Sequence, residues 1–169
     1  MPMLRLQAYR YELKPNATQR IAFAQHAGVA RFAFNWGLAR RIRYYRLFKR
    51  TANAFRLLKH LNKFKAERFP WMKEVSTYAV QSAMADLDRA FANFFAGLKA
   101  GRQVGFPKFK KKGVKDSFRL YGCIHVEGDF VQIPRIGCVR LKETPKVEGR
   151  IKAITIRREA DPSSCNSVQ

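Results

Sequence analysis

Apolar residues recur along this chain at two different periods, and the change from one to the other divides it. Leu4, Leu6 and Ala8 alternate with polar neighbours; the phase then slips by one and Tyr9, Tyr11 and Leu13 alternate. That pattern predicts a strand over residues 3–13 with a bulge. Pro15 ends it, and Asn16 followed three residues later by Gln19 has the layout of an N-cap close to a capping box.

A helical period follows. The spacing predicts a first helix to about Gln25, a break at Gly28, and a longer second helix to about Arg50. The second helix carries Phe32, Phe34, Trp36, Leu38, Ile42, Tyr45 and Phe48 beside a series of arginines. Two helices about a short glycine-containing turn form a helix-turn-helix-like pair. Residues 51–66 predict a further helix, interrupted by Phe69–Met72. Ser76 then caps the strongest amphipathic helix, with Val80, Ala83, Leu87, Phe91, Phe94 and Leu98 on one stripe and Gly101 closing it.

Beyond residue 116 the period becomes two. Residues 117–121, 123–126, 130–133, 138–141 and 151–157 read as short strands joined by glycine-containing turns. The fold class is therefore α+β: a small β-barrel whose first strand is separated from the rest by a helical insertion. The divisions are 1–14 for the first strand, 15–101 for the helical region, 102–116 for a basic linker, 117–158 for the remaining strands and 159–169 for a polar tail.

Charge changes the picture from fold to partner. The 169 residues carry 34 Lys+Arg against 12 Asp+Glu, a formal net charge of +22. Hydrophobic residues make up 47% of the chain, which supports a packed core and excludes a disordered basic tail. Self-repulsion of this size favours a polyanionic partner, nucleic acid above all. A membrane surface fits less well because the cations spread over the whole chain. No secretory h-region or transmembrane run is present in the sequence, and three widely spaced cysteines form no C-x-x-C pair. A cytoplasmic, reducing compartment is expected.

The densest positive charge lies between Arg102 and Lys115, where six cations occur without an acid and Phe106 and Phe109 are interleaved. Cations neutralise phosphates and rings offer stacking faces, so Lys108, Lys110, Lys111 and Lys112 are candidate backbone contacts. A solvated linker is the alternative. Arg31, Arg40 and Arg43 are similar candidates on the second helix, against a solvated basic face. Phe32, Trp36, Phe91, Phe94 and Phe95 read as core.

Catalytic constellations are missing from the sequence. Asp86 and Asp88 stand at i,i+2, which does not converge on one helix face, and Asp86 is placed to pair with Arg89. His26, His60 and His125 are isolated, and no phosphate-binding glycine loop occurs. No catalytic residue, metal site or cofactor is expected; the chain reads as a non-enzyme.

Six stretches resemble, in order and spacing, the N-terminal half of the TnpB (OrfB) family of insertion-sequence proteins, relatives of type V CRISPR effectors. They are 9–15 (YRYELKP), 30–36 (ARFAFNW), 70–75 (PWMKEV), 85–95 (ADLDRAFANFF), 105–118 (GFPKFKKK followed by D-S-F) and 133–140 (IPRIGCVR). The resemblance implies a wedge-type barrel interrupted by a helical recognition insertion. It also implies a protein in which a guide RNA directs a RuvC-like nuclease to DNA beside a short target-adjacent motif. By the same resemblance Thr77, Tyr78 and Gln81 match positions that approach that motif. Gln81 has the amide geometry for a bidentate contact to adenine. A plain polar helix start over a packed Tyr78 is the alternative.

After Glu159 the sequence leaves the family pattern before the nuclease carboxylates and zinc cysteines. The expectation is a truncated TnpB-like protein that binds DNA and structured guide-type RNA without cutting. The alternatives are a generic basic RNA-binding structural protein and a non-functional remnant of a decayed element.

Overall fold

The computed structural model describes residues 7–146 and 149–158, with the backbone of 167–168. Within them, β1 (Tyr11–Lys14) leads into three helices, α1 (Ala17–Phe48), α2 (Ala54–Arg68) and α3 (Thr77–Lys99), with a 3-10 turn at Pro70–Lys73. Six strands follow: β2 (Ser117–Tyr121), β3 (His125–Glu127), β4 (Phe130–Ile133), β5 (Gly137–Leu141), β6 (Ala153–Arg157) and β7 (Ser167–Val168). All pairings are antiparallel, in the order β2-β6-β7-β1-β5-β4-β3.

The class is α+β, with the first strand separated from the other strands by the helices. The expected barrel is not closed. Strands β2 and β3 end the sheet at opposite edges, and among the described residues no pairing joins them. β3 is three residues long, and on β2 the Arg119 carbonyl lies 2.8 Å from the Ser82 hydroxyl of α3. A helix thus occupies hydrogen-bonding capacity that a closing strand would use.

Two element predictions need correction. The first strand begins at Tyr11 rather than residue 3; residues 7–10 are irregular, and the predicted positions 3–6 lie outside the described residues. Helix α1 runs through Gly28 for 32 residues without the expected break. A glycine costs about 1 kcal/mol in a helix interior relative to alanine. Here buried Phe23, Ala27, Ala30, Ala33, Phe34 and Leu38 on either side outweigh it. The chain reverses instead after Lys49, which adopts a left-handed φ of 53°, and through residues 69–76.

Other local signals hold. Asn16 Oδ1 accepts from Gln19 N at 2.8 Å and Gln19 Oε1 accepts from Asn16 N at 3.0 Å, a complete capping box. The Gln19 amide also donates to Cys138 O at 2.7 Å, fastening α1 to β5. Ser76 caps α3 through its Oγ, and Gly101 takes φ +67° where that helix ends. Ser167–Val168, in the segment read as a polar tail, pairs between β6 and β1 through backbone hydrogen bonds, which side-chain pattern does not encode. The rest of that tail, 159–166 and 169, lies outside the described residues.

The core joins α1 and α3 to the sheet. The two helices run in the same direction: His26 meets Ser76, Gly37 meets Met84 and Leu87, and Arg41 meets Asp88. A Cβ on Gly37 would stand 2.9 Å from Leu87 Cδ2 and 3.0 Å from Met84 Sδ, so glycine is what permits the approach. On the sheet side Leu13, Phe118, Leu120, Ile133, Val139 and Ile156 are buried together.

Candidate nucleic-acid interface

The tract after Gly101 has no regular secondary structure, yet the helices hold it along its length. Val104 sits over Gly97, where any Cβ would run into its methyl groups. Phe106 meets Phe91 and Phe94 edge-on, each at 5.4 Å between ring centroids. Lys110 exchanges two hydrogen bonds with the Asn35 side chain, N–H to Oδ1 at 2.8 Å and Nδ2 to the carbonyl at 2.9 Å. Asp116 receives Arg31 at 2.8 Å and the Gly113 amide at 3.2 Å.

These contacts give the tract a direction. As residue number rises from 104 to 121, its partners on α3 fall from Gly97 through Phe91 to Ser82 and Tyr78. Its partners on α1 fall likewise, from Asn35 through Arg31 to His26. The segment is a strap laid antiparallel to two parallel helices, ending beside the first turn of α3.

The candidate cations separate into two kinds. Lys108, Lys111 and Lys112 are exposed, with Phe109 53% accessible among them. Lys110 also has exposed atoms, but its ammonium lies 4.3 Å from the Phe34 ring centroid. Burial there lowers its pKa from the usual lysine value, and the Asp86 carboxylate partly offsets this. Arg31 is committed to Asp116, with only 22% of its side chain accessible. Arg40 stacks on Trp36 at 5.3 Å, and Arg43 points to solvent as an exposed residue.

At the other end of the strap Thr77 and Gln81 are exposed on the first turns of α3. Tyr78 is 38% accessible rather than packed beneath the helix; its ring meets Tyr121 edge-on at 6.4 Å and covers Gly122. No acid lies in that first turn, whose backbone N–H groups carry partial positive charge. The segment that carries the strap lysines thus continues into residues that meet Ser82 and Tyr78 on the opening turns of α3. Arg40 and Arg43 belong to a later part of α1, away from the strap contacts.

Sequence reasoning missed Arg41. It is buried, donates to Asp88 at 2.6 Å and to Thr51 Oγ1 at 3.0 Å, and lies 4.0 Å from the Phe91 ring centroid. Asp88 also accepts the Ala54 amide at 2.8 Å, while Asp86 pairs with Arg89 at 3.5 Å as its spacing predicts. Of the rings read as core, Phe91 is buried, Phe32, Trp36 and Phe94 are half-buried, and Phe95 is 57% exposed. Among the described residues no three His, Cys, Asp or Glu side chains are grouped to hold a metal ion, and no helix is long and apolar enough to cross a membrane. Cys123 and Cys138 are exposed free thiols.

Residues 1–50 match the family model described as a helix-turn-helix domain, that of the insertion-sequence OrfB proteins. The chain is 30% identical to "Putative RNA-guided DNA endonuclease InsQ" of Escherichia coli K12, an alignment covering 91% of this chain and 38% of that protein. It is 34% identical to "Putative RNA-guided DNA endonuclease Rv2885c" of Mycobacterium tuberculosis H37Rv, over 90% of this chain and 39% of the relative. The chain thus spans about two-fifths of the length of the curated relatives it matches.

Proposed function

Because the chain belongs to the TnpB/OrfB family of insertion-sequence proteins, we propose that these residues form a nucleic-acid-binding unit for DNA and a structured guide-type RNA. The observation that carries this reading is the pinned strap. A basic loop free in solution pays conformational entropy when it is ordered on a phosphate chain. Here contacts to Gly97, Phe91, Asn35 and Arg31 already hold the backbone, while Lys108, Lys111 and Lys112 remain exposed.

The strap lysines contact the phosphate backbone, and Thr77, Tyr78 and Gln81 face the bases beyond it. Gln81 is the direct reader: its amide donates and accepts in the pattern that adenine presents in the major groove. Arg31 and Lys110 act mainly by holding the strap to α1. Binding rather than cleavage is the contribution proposed for this segment; Asp86, Asp88 and Asp116 each pair with an arginine of the same fold.

The test is a salt titration comparing RNA from the chain's own locus with a shuffled RNA of equal length. A preference of about tenfold, equivalent to about 1.4 kcal/mol, supports a guide-RNA binder. Equal affinities at every salt concentration leave only charge-driven binding, the property of a generic basic RNA-binding protein.

A further inference from the structure

One face of α1 is left uncovered between the strap and the turn at residues 69–73. Gly28, Arg31, Phe32, Asn35 and Trp36 line a cleft of about 440 Å³ there. Its two walls differ. Arg31 and Asn35 reach to the strap, which holds exposed Lys111 and Lys112 beside them. Phe32 and Trp36 reach the other way, Phe32 to Phe69 at 4.8 Å and Trp71 at 5.1 Å, and Trp36 to His60 at 5.6 Å. Trp71 keeps 41% of its surface accessible on that lip, and Arg40 lies over Trp36.

From this we infer that the cleft is a stacking site for unpaired bases of a single-stranded nucleic acid, resting on the nucleic-acid reading above. Charge complementarity selects the occupant. The strap side, where Asn35 holds the Lys110 main chain and exposed Lys111 and Lys112 follow, suits a phosphodiester chain, and the partly exposed Trp71 ring, 5.1 Å from Phe32 of the lining, suits a base plane. A duplex keeps its base faces stacked on one another and offers only its phosphates. The cleft therefore distinguishes single strands from duplex, a distinction the strap lysines alone do not make. An unpaired strand is present wherever a guide pairs with only one strand of a duplex or a structured RNA opens into a loop.

Of the chain's two tryptophans, Trp36 lines this cleft and Trp71 meets Phe32 of its lining, so its occupancy is read by intrinsic fluorescence. The experiment titrates the protein with oligothymidylate and oligouridylate of ~10 nucleotides and with a blunt duplex of matched phosphate number, following tryptophan emission and the anisotropy of labelled strands together. Quenching by either single strand and not by duplex is expected, and the strand that quenches more names the preferred backbone. Trp71→Leu should weaken single-strand binding about tenfold and leave duplex affinity unchanged, whereas Trp71→Phe should retain most of the affinity. Binding of both forms with unchanged emission, or equal losses for both in Trp71→Leu, overturns the stacking site and leaves the phosphate reading standing. No binding of either form overturns both.

Discussion

His26 Nε2 accepts the backbone N–H of Ser76 at 3.1 Å, while Nδ1 donates to Ala22 O at 2.7 Å. The two bonds fix the neutral tautomer of a buried ring and join the first turns of α1 to the cap of α3. The residues that open the proposed interface, Thr77, Tyr78 and Gln81, follow directly. The position of a candidate base-reading turn therefore depends on an imidazole held uncharged.

Burial lowers the His26 pKa, the hydrogen bond to Ala22 opposes this, and Arg135 adds to the lowering. Above about pH 6.5 the ring is neutral in both folded and unfolded chains, so its contribution to stability is fully present. As pH falls below about 6.5 the unfolded chain takes up the proton first, and stability declines until the folded-state pKa is reached. Urea unfolding should show a lower midpoint at acid pH. His26→Gln should flatten that dependence while lowering stability at neutral pH by about 1–3 kcal/mol, the cost of disturbing a buried hydrogen-bonded group. An identical pH profile in the variant would exclude His26 as its source.

Gly28 and Gly37 lie on the same helix and should respond to alanine with opposite signs. At Gly28 the nearest atom to a new Cβ is Arg31 Nη2 at 3.9 Å, so Gly28→Ala should stabilise by roughly 0.5–1 kcal/mol through helix propensity. At Gly37 the new methyl meets Leu87 and Met84 at about 3 Å. Separating α1 from α3 there should cost about 1–3 kcal/mol. Thermal midpoints of the two variants, measured side by side, check both the sign and the continuity of α1.

This pair also shows where the sequence is legible and where it is not. A glycine in a helical period is an ambiguous signal, because the propensity cost of about 1 kcal/mol is smaller than the packing on either side. Gly28 reads as a break only if α3 is left out of account. Signals closed within a few residues, such as the Asn16–Gln19 box, the Ser76 cap and the strands Ser117–Tyr121 and Phe130–Ile133, were readable because local chemistry decides them. The strap was visible as charge but not as structure. Its anchors, Asn35 to Lys110 and Arg31 to Asp116, join residues 75 and 85 positions apart. The open sheet was hidden for the same reason, since Ser82 meets Arg119 only after the helices have packed.

Arg41 is a further contact between distant positions, 47 residues from Asp88, with an energetic consequence. Its side chain is 11% accessible and that of Asp88 36%, so solvent screens the pair on one side only. Arg41→Ala removes the guanidinium from the Phe91 face as well as from Asp88 and Thr51. A loss of about 2–3 kcal/mol is expected, below the range for fully buried pairs because Asp88 keeps access to water. Asp88→Ala should cost more at the start of α2, where the Ala54 amide loses its acceptor. Denaturant midpoints for the two single variants and the double variant measure the coupling, which should be favourable.

The strap yields the prediction closest to function. If Lys108, Lys111 and Lys112 each neutralise one phosphate, replacing all three with Ala should reduce the log–log salt slope of duplex binding by about 2.7, at roughly 0.9 per contact. Lys110→Ala should behave differently. Its ammonium is partly withdrawn over Phe34, while its main chain holds the strap to Asn35 irrespective of side chain. The single variant should therefore change the slope by less than one third of the triple variant. Arg31→Ala provides the complementary case: it frees Asp116 and loosens the end of the strap, so affinity should fall at all salt concentrations with little change in slope. Binding isotherms of the three variants over a range of salt concentrations separate phosphate contact from strap anchoring. A slope unchanged in the triple variant would assign the basic tract to folding alone.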